Sequence, residues 1–505
     1  MKPNLKLYLV ILSFLYFVNA FSQDGTLDAT FGVGGKVKTN VGTFNDRGNA
    51  IAIQNDGKIV VVGSSNNGSK TLFTILKYQT NGMLDTTFGN AGVVLIDFGT
   101  SGSVATSVAI QDDGKIVVAG SSGNNFALAR LNENGTLDLS FDLDGLVTTS
   151  FGLGVNFSFI NAIVIQNDDK IVAVGTALRG NYDFVLARYN VDGSLDTSFD
   201  IDGMVLTSHP NGLNEYGNAV AIQNDAKIVV AGYITTGSTN DYEIIRYNEN
   251  GSLDTSFNFS GKVITDFGTP GTSHDIASSI IIQNDNKILV SGNNSNGIKS
   301  FFSIARYNQD GSFDTSFDSD GKLTTAFGTS DAYGNTALIQ NDNKIIVAGS
   351  SNADFALARY NSNGSLDTTF GIDGKVTTDF NLNTENGFAI AMQTDGKIIL
   401  IGNSFSDSSN GFALARYNNS SVLKIDRFEQ NQFAIYPNPA KQFLNIENKN
   451  NIELKKIKIT NLLGKSVLTQ TANFKTIDIG KLATGIYIIE FYTKEMSYQK
   501  KFIKH

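Results

Sequence analysis

A basic residue followed eight positions later by an aspartate recurs along this chain. Arg130 and Asp138, Arg188 and Asp196, Arg246 and Asp254, Arg306 and Asp314, and Arg359 and Asp367 all keep this spacing. Lys77 and Asp85 stand in the same relation, Asp28 opens the series and Arg416 ends it. A guanidinium held against a carboxylate could serve proton transfer or anion binding, but an active site needs one such couple. A couple repeated unit after unit reads as a fold requirement, each base pairing with the aspartate beyond its turn or with a turn carbonyl.

Two other constellations could carry chemistry. His209 and His274 lie near Glu215 and Asp275, which together would suit one metal or acid–base site. The segments FDLDG (141–145), FDIDG (199–203) and FDSDG (317–321) suggest calcium turns, with Asp142 and Asp144 as ligands. However, Ser140 and Phe151 stand where an EF-type loop needs carboxylates. The reading is therefore no cofactor and no metal, with calcium at the Asp142/Asp144-type turns as the lesser alternative. Nucleophile elbow, phosphate loop and metal-spaced histidine pair are all missing from the sequence.

The elements that would position these residues repeat. A glycine opening a turn falls at 25, 82, 135, 193, 251, 311 and 364, and a glutamine ending a strand at 54, 111, 166, 223, 283, 340 and 393. Each unit holds four short apolar runs, in the second unit Ser107–Gln111, Lys115–Gly120, Phe126–Leu131 and Leu146–Thr149. Asp56-Gly57, Asp113-Gly114 and Asp395-Gly396 read as hairpin turns with positive φ. Asn286 and Asn343 tolerate that conformation, Asp169 less well, and Ala226 is a departure without explanation in the sequence. Four strands per unit of this length predict β-propeller blades. The first outer-type strand, Lys36–Asn40, precedes every hairpin, and the last unit lacks one. The expectation is an all-β chain: a seven-bladed β-propeller of four-stranded blades, its ring closed by the N-terminal strand, followed by a small β-sandwich.

The 505 residues include 50 Gly, only 5 Pro and no Cys, so no disulfide contributes. Residues 1–23 read as a secretory signal peptide: Lys2 and Lys6, an apolar Leu7–Val18, then a short polar end. Residues 24–421 are the propeller, 422–432 a linker and 433–505 the C-terminal domain. Of the net charge of −9, the segment 422–505 contributes +7, leaving −16 on the rest. An acidic body argues against nucleic acid as a partner, and no later run is apolar enough to span a membrane as a helix.

The unit LDxxF–x3–G–K–V–x–T, then IQ–x–DGKI–x–V–x–G, then FALARYN–x–x–G resembles the delta-sixty repeat family of bacterial β-propellers, over about 24–420. That resemblance implies a propeller and transfers no single activity. In the tail, YPNP at 436–439, FLNIEN at 443–448, ITNLLGKSV at 459–467, LATGIYIIEF at 482–491 and KKFIK at 500–504 are similar to the type IX secretion C-terminal sorting domain. By that resemblance the sorting motif is Tyr436, Pro437, Asn438, Pro439, Gly464, Gly485, Tyr487, Lys500 and Lys501. It implies a Bacteroidetes-type bacterium, export through the periplasm, the type IX machinery as partner, and tail removal with release or attachment to the outer cell surface.

Two connections vary between units: strand two to strand three (64–71, 176–183, 233–241) and outer strand to next blade (41–49, 209–218, 268–277). Both are expected to open on one face, so function is sought where the copies disagree. The candidate ligand-binding residues are Arg47, Phe157, Arg179, Tyr182, His209, Glu215, Tyr216, His274, Asp275 and Tyr333. Aromatic, amide and carboxylate groups suit a glycan or a protein partner. The reading is an exported or surface binding or scaffold protein. A polysaccharide-acting lyase or hydrolase, with its site at the propeller mouth, and a purely structural envelope protein are the alternatives.

Overall fold

The computed structural model describes residues 23–42, 44–100, 102–152, 154–268, 273–380, 384–406, 409–419, 433–448, 453–461, 466–493 and 497–505. The predicted signal peptide, apart from Gln23, and the linker lie outside these. The chain divides into two compact units, 1–421 and 422–505.

Unit one consists of seven four-stranded antiparallel blades in strand order 1-2-3-4, blades 4 and 5 being joined by one parallel bridge between Asn240 and His274. Blade 2 is Ser103–Ile110, Ile116–Ser122, Asn125–Leu131 and Leu146–Thr149. In blade 7 the fourth place is taken by Lys36–Thr39, which pairs with Ser409–Tyr417 in register Lys36↔Ala415 to Thr39↔Phe412. The chain's first strand is thus the outermost strand of its last blade. Arg416 completes its ion pair with the N-terminal Asp28, at 2.7 Å.

The hairpin turns carry three residues rather than the two expected. Gly57 N–H donates to the Gln54 carbonyl, and the residue at the Gly57 position is left-handed. That residue is Ala226 in blade 4, at φ +64°, a strained place for a side chain.

The repeated Arg–Asp couple is a joint between blades as well as within them. Arg130 Nε meets Asp138 Oδ2 at 2.7 Å, and Lys115, from the hairpin, meets the same oxygen at 3.4 Å. The guanidinium lies over Phe141, 4.6 Å from the ring centre. Its Nη1 then donates at 2.5 Å to the carbonyl of Val191, in the corresponding turn of blade 3. Arg188 reaches Glu249 O, Arg246 reaches Gln309 O and Arg306 reaches Ser362 O in the same way. Lys77 donates to Glu133 O, leaving Asp85 to Lys58. At blade 6 the acceptors change: Arg359 Nη1 donates to Asp24 and Asn419. Arg416 donates to Thr80 O of blade 1, so the last blade meets the first through the same contact.

Two further contacts repeat. The tyrosine after each arginine donates to, or accepts from, a threonine on the outer strand of the preceding blade, as in Tyr189 Oη–Thr149 Oγ1 at 2.8 Å. Blade 2 has Leu131 instead, and the outer strand before it offers Ile96; both are buried in one apolar cluster. Each inner strand also carries a β-bulge, in blade 4 between Gly217 and Ala219. The bulged side chain reaches the next blade in five cases, Asn218 Nδ2 donating to Ala277 O at 2.8 Å. A glycine opposite every bulge is obligatory: a Cβ on Gly232 would lie 1.7 Å from the Tyr216 carbonyl oxygen.

Unit two is a sandwich. Phe433–Tyr436, Phe443–Asn448 and Thr476–Asp478 form one sheet; Ser466–Gln470, Lys456–Asn461, Gly485–Tyr492 and Ser497–Lys504 form the other. Leu444, Ile459, Ile477, Ile489 and Phe502 are buried between them.

Two outcomes test the joints. Burial alone would raise the Asp138 carboxyl, but the Ser140 hydroxyl and N–H and the Arg130 guanidinium outweigh it and hold it at about 2. The equivalent aspartates at 196, 254, 314 and 367 are lowered for the same reasons. The unfolded chain then binds more protons in acid, so this stability is full above pH ~4 and is lost as pH falls toward ~2. A far-UV circular dichroism titration should show cooperative loss of the propeller in that window. Leu131→Tyr and Ile96→Thr should each destabilise alone, while the double variant recovers about 1 kcal/mol by pairing the two hydroxyls, as read by a double-mutant cycle.

Candidate functional site

The bulge changes where the candidate residues lie. They are predicted in connecting loops, yet Arg47, Phe157, Glu215, Tyr216, His274, Asp275 and Tyr333 belong to the inner strands Phe44–Ile53, Phe157–Ile165, Glu215–Ile222, His274–Ile282 and Ala332–Ile339. Arg179 and Tyr182 end and begin the strands Ile171–Arg179 and Asn181–Tyr189, with only Gly180 between. An extra residue flips the alternation, so a strand read backwards through its bulge no longer looks like one.

Counted from the bulge, one register position holds Arg47, Val104, Phe159, Tyr216, Ile276, Tyr333 and Asn386, one per blade. Fixed in place and varied in chemistry, this position gathers three residues that the sequence suggests separately. Arg47 covers Phe388 of blade 7, its guanidinium 4.4 Å from the ring centre, and Tyr333 is 44% exposed.

Aromatic rings concentrate on blades 3 and 4. Phe159 stacks on Phe157 at 5.6 Å, Phe157 meets Tyr182 edge-on at 5.9 Å, Tyr182 stacks on Tyr216 at 4.8 Å, and Tyr216 on Tyr233 at 4.4 Å. All five are partly exposed. The structure thus unites Phe157, Tyr182 and Tyr216, with the exposed Arg179 on the strand between them. It adds Phe159 and Tyr233, which sequence reasoning missed. The signal for Tyr233 was available, since it is the cross-strand partner of Tyr216, but only once the bulge fixes the register. Among the described residues no hydrogen bond engages the hydroxyls of Tyr182, Tyr216 and Tyr233, whereas the six joint tyrosines are all bonded to threonine.

Blade 4 also carries buried acids. Glu215 and Glu243 are both 0% exposed, and Lys262 bridges them at 2.6 and 3.4 Å. Burial, then the Glu215 charge, push Glu243 well above the ordinary carboxylate range. Two acidic trios stand elsewhere: Asp241, Asp266 and Asp275, and Asp354, Asp379 and Glu385. Burial pushes Asp275 and Glu385 up to about 6.

The histidines occupy separate places. His209 closes its own turn, its Nδ1 accepting from Asn211 N–H at 3.2 Å. His274 heads the inner strand of blade 5, bridged to Asn240. Neither belongs to a ligating group of three among the described residues. In the Asp142–Gly145 turn, Asp144 Oδ1 accepts from Leu146 N–H at 2.9 Å and Asp142 is in the left-handed region.

In the tail, Asn438 joins the two ends of the sorting motif. Its Oδ1 accepts from Ile503 N–H at 2.9 Å and its Nδ2 donates to Lys501 O at 3.2 Å. Gly485 pairs with Lys504, Lys500 with Ile489 and Lys501 with Ile488. Tyr487 packs on Phe502 and donates to Ala483 O, and Tyr436 is 53% exposed. Pro437 and Pro439 end the first strand, and Gly464 lies outside the described residues.

Repeated blades with this tail define an exported or cell-surface β-propeller protein. The sequence matches the secretion system C-terminal sorting domain over 434–505, and the DUF5122 beta-propeller family, a domain of unknown function, seven times: at 54–88, 111–141, 166–199, 223–257, 283–317, 340–370 and 393–423. The chain is a DUF5122 β-propeller repeat protein carrying a type IX sorting domain, and the sorting domain implies interaction with the type IX machinery. No helix among the described residues is long and apolar enough to cross a membrane.

No curated protein sequence matches the chain. Among solved structures, an inactive virginiamycin B lyase from Staphylococcus aureus is 13% identical, covering 75% of this chain and 98% of that one at a TM-score of 0.43. The polysaccharide lyase Uly1 is 11% identical, covering 74% and 90% at 0.45. PorZ, a surface component of the type IX system of Porphyromonas gingivalis, is 10% identical, covering 95% and 86% at 0.25. Likenesses at these scores carry no argument about what this chain does.

Because folded Glu243 holds its proton above the usual carboxylate pKa, the native state binds more protons than the unfolded one, and stability falls as pH rises from ~4.5 toward neutrality. Glu243→Gln should flatten that slope and raise the melting temperature at pH 7 more than at pH 5, as read by calorimetry.

Proposed function

We propose that the propeller is an exported binding module whose aromatic row across blades 3 and 4 receives the sugar rings of a glycan. The row carries this reading. Five partly exposed rings run across two blades at 4.4–5.9 Å spacing, and three of them keep hydroxyls that the protein does not use. Apolar ring surface beside unengaged hydroxyls matches the mixed apolar and hydroxyl faces of a pyranose. Arg179, exposed beside Tyr182, adds a donor suited to carboxylated or sulfated sugars. The sorting tail supports the reading, since it delivers the protein to where polysaccharide is met.

A protein partner would use the same rings and is separated by experiment. The full chain, screened on a glycan array and titrated with the best oligosaccharide, should bind it. Tyr182→Ala and Tyr216→Ala should each weaken binding at least tenfold, while Tyr436→Ala in the tail leaves it unchanged. An array without hits, or an affinity indifferent to both propeller variants, would overturn the proposal.

A further inference from the structure

Three carboxylates meet where blade 6 abuts blade 7. Asp354 begins the third strand of blade 6, Asp379 directly follows its outer strand, and Glu385 stands near the start of the inner strand of blade 7. One oxygen from each lies within 4.8 Å of the others. This is the spread allowed by ligands on a common calcium ion, whose Ca–O distances of about 2.3–2.6 Å place opposite ligands about 4.6–5.2 Å apart.

Two observations separate this cluster from ordinary surface acids. First, Glu385 is 0% exposed; the Phe380 N–H reaches its carboxylate, its Oε1 accepts from Ser404 Oγ at a long 3.4 Å, and its Oε2 is buried without a hydrogen-bond partner. A buried carboxylate oxygen left unpaired is costly unless something pairs with it. Second, the fold does not ask for acids here. The same three positions at the blade 5–6 junction hold Phe301, Ala326 and Ala332. At the blade 4–5 junction they hold the related trio Asp241, Asp266 and Asp275. There the buried member is already satisfied: Asp275 Oδ1 accepts from Asn294 Nδ2 and Oδ2 from Phe267 N–H, both at 2.7 Å. Lys36 donates to the Asp379 carbonyl at 3.0 Å and lies over Phe380.

We infer that Asp354, Asp379 and Glu385 form a calcium site clamping blade 6 to blade 7, with Glu385 as its buried ligand. Oxygen-only donors and a half-open setting suit calcium over a transition metal. The affinity belongs to the class of extracellular modules, roughly 10⁻⁴–10⁻³ M. The ion would tie together three strands at the junction that the N-terminal segment also secures through Asp24.

Calorimetric titration of the full chain with calcium chloride, together with melting scans, tests this. The expected result is one saturable site and a melting temperature that rises with calcium. Glu385→Gln and Asp379→Asn should abolish both responses. Glu385→Gln should also melt no lower than the parent without calcium, since it relieves repulsion, which distinguishes a lost site from a lost fold. Asp241→Asn should keep the response. Absence of saturable binding at several millimolar calcium would overturn the inference. So would binding that survives Glu385→Gln and Asp379→Asn, or binding lost instead in an Asp142→Asn, Asp144→Asn variant.

Discussion

The propeller depends on one contact made once per blade: a base from the third strand reaching across to the next blade's turn. In five blades the arginine Nε is tied to the aspartate eight residues on, and in blade 7 the pair is Arg416 with Asp28. With Nε occupied, the fork's geometry leaves Nη1 aimed outward at a backbone carbonyl. The hairpin lysine and the phenylalanine under the guanidinium hold the fork in plane. Each blade therefore carries the donor for its neighbour on one side and the acceptor for its neighbour on the other. Lys77 makes the interblade bond but not both bonds together. At Lys77 the two functions separate, the lysine taking Glu133 O and the aspartate falling to Lys58.

A heterologous contact of this kind closes only when the last copy meets the first. The chain achieves this by splitting one repeat between its ends. Asp28 and Phe31 supply to Arg416 what each unit's own LDxxF supplies elsewhere, and Lys36–Thr39 supplies the fourth strand. Asp24 and Asn419 replace the turn carbonyl that Arg359 would otherwise find. The Leu131–Ile96 pair shows the same logic at smaller scale. Where one polar partner of the tyrosine–threonine bond is lost, the other is lost with it, and no hydroxyl is left buried alone.

Blade count, strand order and the split repeat were legible in the sequence because periodicity and turn chemistry are local. The seven glycines at fixed spacing and the orphan strand at Lys36 sufficed. The inner strands were half legible. A bulge after Gly48, Gly217 or Gly334 inverts the alternation, so Arg47, Tyr216 and Tyr333 read as loop residues although they share one register position. The aromatic row was visible as Phe157, Tyr182 and Tyr216, but Phe159 and Tyr233 look like ordinary strand residues until pairing places them. The shared role of the hairpin lysines was invisible, because six meet an aspartate 23 to 27 residues on and Lys397 meets Asp28 near the other end of the chain, through tertiary geometry that no spacing rule encodes. In the tail, YPNP and the terminal KKFIK were legible as separate motifs. That Asn438 binds one to the other was not.

The buried carboxylates sort into two kinds, and the difference marks where architecture ends. The joint aspartates at 138, 196, 254, 314 and 367 are saturated by hydroxyl, amide and cation, so burial's upward push is outweighed and they stay charged. Glu215, Glu243 and Glu385 are just as buried but keep oxygens without partners, and at Glu243 and Glu385 the upward push prevails. A repeat protein can lose such groups at no cost to its fold, since the blade 5–6 junction does without any acid at the equivalent positions. Their persistence at particular junctions is therefore information about particular blades. Those blades are blade 4, which carries part of the aromatic row, and blade 7, which the N-terminal strand completes, where seven nearly identical units stop being interchangeable.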